Sequence, residues 1–257
     1  MPESRPDRPQ YLTEHLKELR EGLIKSLVFV GIGVVLAFWR SAFLFDVVLK
    51  PFRDTLAAFP DFKAQVHSLQ TLTPIEAFMI NMKLAAVAGF LFAAPFILWQ
   101  VWKFVSPALK PQERGGILMV FSLGLFFFSG GLAFGYYVIV PIALRFLIQY
   151  NLDYQFIPQW TLQGYFGFVV NFLLVFGFVF ELPLILAGLV AIGIATPAFL
   201  SQKRKHAIVG IFILAFFIAP SADPVTQTLV AIPLIVLYEI GILLSRLAFS
   251  RRNKMSY

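Results

Sequence analysis

Glu181 is a carboxylate inside an apolar run, FGFVFELPLIL. Within a bilayer a charged group costs about 2.5–3.5 kcal/mol on insertion scales. Such a residue faces a cavity, a partner helix or a polar neighbour, or it stays protonated. A structural hydrogen bond to backbone freed by Pro183, two residues on, is the plainer alternative. No basic residue falls at the same depth in the neighbouring apolar runs, which favours a functional role. Glu239 lies nearer the end of its run and Lys83 a few turns inside another. Both have side chains long enough to snorkel or pack in a bundle, and both are read as structural.

Two further carboxylates, Glu18 and Glu113, stand in otherwise basic stretches. A spaced carboxylate pair in a shallow site suits guanidinium groups, which bind carboxylates through a bidentate fork. Solvated surface charge is the alternative, and Arg20, two residues after Glu18, is badly placed to pair with it on a helix. Asp223 precedes Pro224 and reads as a helix N-cap. The three histidines, His15, His67 and His206, all lie outside the deep apolar runs. There is no cysteine, no HExxH motif, no pair of intramembrane aspartates and no glycine-rich phosphate loop. No catalytic residue, metal or cofactor is therefore expected, and the chain is not read as an enzyme.

The elements that must position these residues follow from composition. Hydrophobic residues make up 59% of the chain and charged residues 14%, against roughly 25% charged in soluble domains. A water-facing surface cannot be built from this mixture, so the fold class is an all-α polytopic membrane protein. One integral membrane domain, residues 1–257, is expected. Residues 1–21 form a polar N-terminus with an amphipathic helix, in which Leu12, His15, Leu16, Leu19 and Leu23 recur at helical spacing. Six spans follow, at about 22–39, 77–102, 117–140, 166–192, 207–219 and 226–244, and then a basic tail, 245–257.

Residues 40–72 are too interrupted to span and read as an external cap. Thr73, Pro74 and Glu76 carry a capping-box start for the second span. Thr196 with Pro197 starts the fifth helix. Gly131 and Gly135 form a GxxxG that indicates close helix packing. Only Ala207–Ala219 of the fifth span is apolar, about 20 Å of helix against a hydrocarbon core about 30 Å thick.

Lysine and arginine set the orientation. They cluster before the first span (Arg5, Arg8, Lys17, Arg20) and after the second (Lys103, Lys110, Arg114). They cluster again after the fourth (Lys203, Arg204, Lys205) and in the tail (Arg246, Arg251, Arg252, Lys254). The alternate loops hold fewer, so both termini are expected in the cytoplasm. The net charge of +7 belongs to these clusters, and no basic stripe with interleaved aromatics suggests nucleic acid.

Four segments, in order and spacing, resemble the TatC family of twin-arginine protein translocases. They are HLKELREGLIKS, PFILWQVWKFVSPALKPQER, FGFVFELPLIL and IAPSADPVTQTLVAIPLIVLYEIG, and the likeness covers nearly the whole chain. The resemblance implies a concave, glove-like arrangement of six helices with the last two short. It implies a receptor in the bacterial cytoplasmic (inner) membrane that binds the twin-arginine signal peptides of folded proteins. With TatA and TatB type single-span partners, in a multimeric complex, it would export them using the proton-motive force. By motif, the signal-peptide residues map onto Glu18, Arg20, Phe104, Pro107 and Glu113. The intramembrane polar and partner site maps onto Glu181, Asp223 and Gln227. The chain departs from the family around Lys110–Pro111–Gln112 and at Gly115, on either side of the loop glutamate. A secondary transporter using Glu181 and Lys83 as a relay is the rival reading, and it predicts an internal repeat that is not visible. An intramembrane enzyme lacks its residue types.

Overall fold

The computed structural model of the chain describes residues 8–60, 62, 69–105, 117–156, 159–218 and 224–254. Among these the structure is helical, with one isolated parallel bridge between Gln70 and Thr161. The helices are α1 (Arg8–Trp39), α2 (Ser41–Ala57), α3 (Glu76–Val105) and α4 (Ile117–Phe134). A π turn (Gly135–Ile139) joins α4 to α5 (Val140–Asp153), and α6 (Leu162–Val179) and α7 (Leu182–Ala191) follow. The last three are α8 (Pro197–Gln202), α9 (Arg204–Ile218) and α10 (Pro224–Lys254). Five stretches are long and apolar enough to cross a bilayer: Leu19–Trp39, Glu76–Val101, Phe121–Asp153, Leu162–Ala191 and Pro224–Ser250.

Several boundaries differ from those read in the sequence. The amphipathic N-terminal segment and the first span are one helix, α1, because nothing between Arg8 and Trp39 breaks it. The third apolar helix does not stop near 140. It passes through the π turn into α5 and ends at Asp153. Pro141 has no N–H to give, and the wider turn, closed by Val140 N–H on the Gly135 carbonyl, changes the pairing register just before it. The 40–72 cap contains a regular helix, α2, despite Pro51. Of the two final helices, α9 is short at 15 residues, while α10 runs for 31 because the polar end SRLAFSRRNK carries no helix breaker.

The chain divides into two compact units. The first comprises Met1–Ser41 and Met82–Ser122. Its described part is α1, the Met82–Val105 part of α3 antiparallel to it, and the first residues of α4. Gly33 and Gly89 bring the two backbones together: a Cβ on Gly33 would lie 2.7 Å from the Gly89 carbonyl oxygen, and one on Gly89 would collide with the Val34 backbone nitrogen. Without a hydrophobic drive between helices in lipid, such close backbone approach is what associates them. Phe29 stacks on Phe96 one step along the pair, with centroids 3.7 Å apart. Trp99 meets Phe121 of α4 edge-on at 5.0 Å.

The second unit comprises Ala42–Asn81 and Leu123–Tyr257. Pro51 denies the Val47 carbonyl its helical donor, four residues on. The Tyr136 hydroxyl supplies one instead at 2.6 Å, and the Tyr165 hydroxyl donates to the adjacent Val48 carbonyl, also at 2.6 Å. Gly131 and Gly135 lie against Phe172 and Phe176 of α6, where a Cβ on Gly131 would collide with the Phe176 carbonyl. The glycine pair thus packs helices, as its spacing suggests. Gly241 of α10 admits Pro183 and Leu186 of α7 in the same way.

Glu76 organises the cap. Its carboxylate accepts from Leu72 N–H at 2.6 Å and from Thr73 N–H at 3.4 Å, the backward arm of the expected capping box. It also accepts from Gln163 N–H at 3.1 Å, a donor in the first turn of α6 that has no helical acceptor. Beside it Gln70 N–H donates to the Trp160 carbonyl and Leu162 N–H to the Gln70 carbonyl, at 2.9 and 2.8 Å. Phe62 and Phe52 close over Trp160, at 5.8 and 5.7 Å between centroids.

Two outcomes follow from these contacts. Glu76→Ala leaves three part-buried N–H groups without their acceptor and is expected to destabilise the protein. Thermal unfolding in detergent should show it, with faster amide exchange at Leu72 and Gln163. Gly89→Leu should separate α1 from α3, whereas Gly31→Leu, with open space around it, should not. Disulfide formation in a Phe29→Cys/Phe96→Cys background reads the separation directly, since the chain has no cysteine of its own.

Candidate functional site

The described sequence-predicted residues lie in both units, Glu18, Arg20 and Phe104 in the first and Glu181 and Gln227 in the second. In the first unit the α1–α3 pair sets a register. Gly33 faces Gly89, and eleven residues away along both helices Gly22 faces Gln100, whose side chain lies 3.6 Å from where a Gly22 Cβ would be. Continuing that register by one helical turn brings the backbone of Glu18 level with that of Phe104. Arg20 is exposed on the same end of α1. The side chains of Glu18 and Phe104 lie outside the described set, as do Pro107 and Glu113 altogether. Residues 106–116, which carry Pro107 and Glu113, connect the end of α3 to the start of α4. The contact of Trp99 with Phe121 keeps those two helix ends together.

In the second unit Glu181 occupies the junction of α6 and α7. The junction arises because Pro183, at the start of α7, cannot continue the backbone ladder. The local bonds tighten instead, Glu181 N–H donating to the Phe178 carbonyl at 3.0 Å and Leu184 N–H to that of Glu181 at 3.0 Å. The Glu181 side chain is 8% exposed, and its Oε1 is buried with no hydrogen-bond partner. It therefore does not satisfy the backbone that Pro183 frees, the plainer of the two readings from sequence. A buried unpaired acceptor costs about 1–3 kcal/mol, which a donor brought from outside would relieve.

Gln227 does not bond to Glu181. Its amide nitrogen donates to the Phe212 carbonyl of α9 at 3.0 Å. Asp223 lies outside the described residues. Around Gln227, α9 presents an apolar face to its surroundings: Val209, Ile213, Phe216 and Phe217 are each half exposed or more and border a shallow groove. This face had no distinct signature in the sequence, where every apolar residue of a short span looks alike.

The remaining charged candidates have structural roles. Glu239 pairs with Arg204 at 2.8 Å across α10 and α9, next to the bond from the Tyr238 hydroxyl to the Leu200 carbonyl. Lys83 is exposed on α3 while Glu181 is buried, so they do not form a buried relay. Among the described residues, no group of three or more histidines, aspartates or glutamates could hold a metal ion.

The sequence matches the family model "Sec-independent protein translocase protein (TatC)" over residues 14–233. It is 36% identical to the Sec-independent protein translocase protein TatC of Carboxydothermus hydrogenoformans, over 93% of this chain and 94% of that protein. It is 40% identical to that of Deinococcus radiodurans, over 91% and 85%, and 36% identical to that of Aquifex aeolicus, over 95% and 98%. A solved structure titled "Crystal Structure of Twin Arginine Translocase Receptor- TatC" superposes with a TM-score of 0.77 at 36% identity, covering 91% of this chain and 99% of that one. The chain therefore belongs to the TatC family, as a multi-pass membrane protein of protein transport and not an enzyme.

Proposed function

We propose that this chain is the signal-peptide receptor of a twin-arginine translocase in a bacterial cytoplasmic membrane, with both termini in the cytoplasm and α9 as a short sixth crossing. Glu18 and Glu113 each take one guanidinium group of the paired arginines. A carboxylate matches the guanidinium fork with two parallel N–H···O bonds, which an ammonium cannot form. Phe104 and Pro107 shape the loop that carries Glu113, and Arg20 sets the charge around Glu18. The observation that carries this reading is the α1–α3 register. It puts the backbone of Glu18 level with the end of α3, from which residues 106–116 continue, on a helix pair packed through glycine.

Glu181 and the α9 face supply the second role. A helix from a TatA or TatB type partner packs on Val209, Ile213, Phe216 and Phe217, and Asp223 and Gln227 mark the polar end of that face. The partner, or the inserted signal, gives Glu181 Oε1 the donor it lacks. Supporting this are the buried, unpaired oxygen and an apolar face that its own unit leaves open. Folded cargo then crosses through the assembled complex, driven by the proton-motive force.

Each role has its own measurement. Glu113→Ala is expected to weaken capture of a twin-arginine signal peptide by about 30-fold, equivalent to roughly 2 kcal/mol, toward the level of a Lys-Lys peptide. Capture equal to wild type rejects the carboxylate assignment. Glu181→Ala should still capture the peptide yet fail to assemble with the single-span partners on native gels. Unchanged assembly and export would remove that role.

A further inference from the structure

The α1–α3 pair encloses a groove of about 420 Å³ that the signal-peptide reading does not use. Its walls are apolar: Leu23, Leu27 and Val30 from α1, Phe90, Ile97 and Val101 from α3. Ser26 is buried in the wall, but its hydroxyl is spent on the Gly22 carbonyl of its own helix at 2.9 Å. Leu23 and Leu27 are 68% and 72% exposed, so the groove opens sideways, in the direction from which a bilayer lipid would enter.

The mouth is different. Lys25, Lys103 and Gln100 stand there, with Glu21 as the one described carboxylate. Glu21 approaches Lys25 only to 3.9 Å, with both side chains more than half exposed, a contact of little strength. That contact also shows that the Lys25 stem runs toward the N-terminal end of α1, where α3 places Lys103. Lys103 has no carboxylate partner among the described residues. Two ammonium groups and an amide donor thus sit over an apolar slot. With Glu21 counted, the described mouth keeps one net positive charge, which an anionic headgroup complements better than a zwitterionic one.

We propose that this groove holds one acyl chain of an anionic phospholipid, with Lys25 and Lys103 on its phosphate. Lysines at a membrane surface attract anionic headgroups, and these two flank a slot that a chain can fill. The lipid completes the packing of α1 against α3 beyond the Gly33–Gly89 backbone contact, where Gly22 meets only the Gln100 side chain.

Native mass spectrometry of the full chain in detergent tests this, after mixing with equal amounts of phosphatidylglycerol and phosphatidylcholine of the same chain length. Wild type should retain one phosphatidylglycerol in clear preference. Lys25→Gln/Lys103→Gln should lose that preference, by about fivefold for each lysine, while Lys203→Gln keeps it. Val30→Trp, which fills the slot without touching its charge, should reduce retention of both lipids. Equal retention of the two lipids by wild type, or undiminished phosphatidylglycerol on the double variant, overturns the proposal. So does one-for-one displacement by a twin-arginine signal peptide, which would make the groove the peptide's.

Discussion

Backbone N–H and C=O groups find no water in hydrocarbon, so every one left over by a helix end or a proline must be met by another part of the protein. Proline is frequent here inside helices, and each occurrence creates a debt of this kind. At Pro51 the debt is met by Tyr136, from 89 residues away. At the start of α6 it is met by Glu76, which serves two helix N-termini at once. At Pro141 the helix widens into a π turn. Tyr136 thereby holds α2 to the π turn, and Glu76 holds the Glu76–Asn81 start of α3 to α6, all within the second unit. Among the described residues, Glu181 Oε1 and Asn81 Oδ1 are the exceptions, buried side-chain acceptors left open.

The same medium removes the usual reason for helices to associate, because lipid is as apolar as leucine. Contact then depends on how closely backbones approach and on shape. Gly33 with Gly89, Gly131 with Phe176, and Gly241 with Pro183 are three instances, all built from a hydrogen in place of a methyl group. Phenylalanine fills what remains, as in the run of rings Phe134, Phe172, Phe176 and Phe180. The abundance of phenylalanine, 30 residues, serves both lipid-facing surface and interior.

What the sequence disclosed was what is local. The apolar runs and the Thr73–Glu76 cap depend on neighbours within a few residues. The backward arm of the cap lies where its spacing predicts. The Gln163 arm of Glu76 was invisible, since nothing in TLTPIEA refers to a residue 87 positions later. Gly33 and Gly89 were equally silent: neither belongs to a spaced pair, and only the antiparallel register makes them face. The helix past Pro141 was misjudged because proline normally ends a helix, and the compensating π turn has no residue signature. For the site, Glu181 was legible from its cost alone. Glu18 and Glu113 were ordinary surface glutamates until the family likeness picked them out.

The Glu76 carboxylate ties together parts of the chain that the ribosome delivers far apart. At about 5–20 residues per second, the 87 residues between Glu76 and Gln163 take on the order of ten seconds to synthesise. The bonds from Tyr136 and Tyr165 to α2 span 89 and 117 residues. Until Tyr136 and Tyr165 are made, the Val47 and Val48 carbonyls lack these partners. The packing around α2 is thus a late product of synthesis, closing only when α6 has been made. An α1–α3 pair whose residues are all made by Val105, and an α2 packing that waits for α6, divide the assembly of this protein in time.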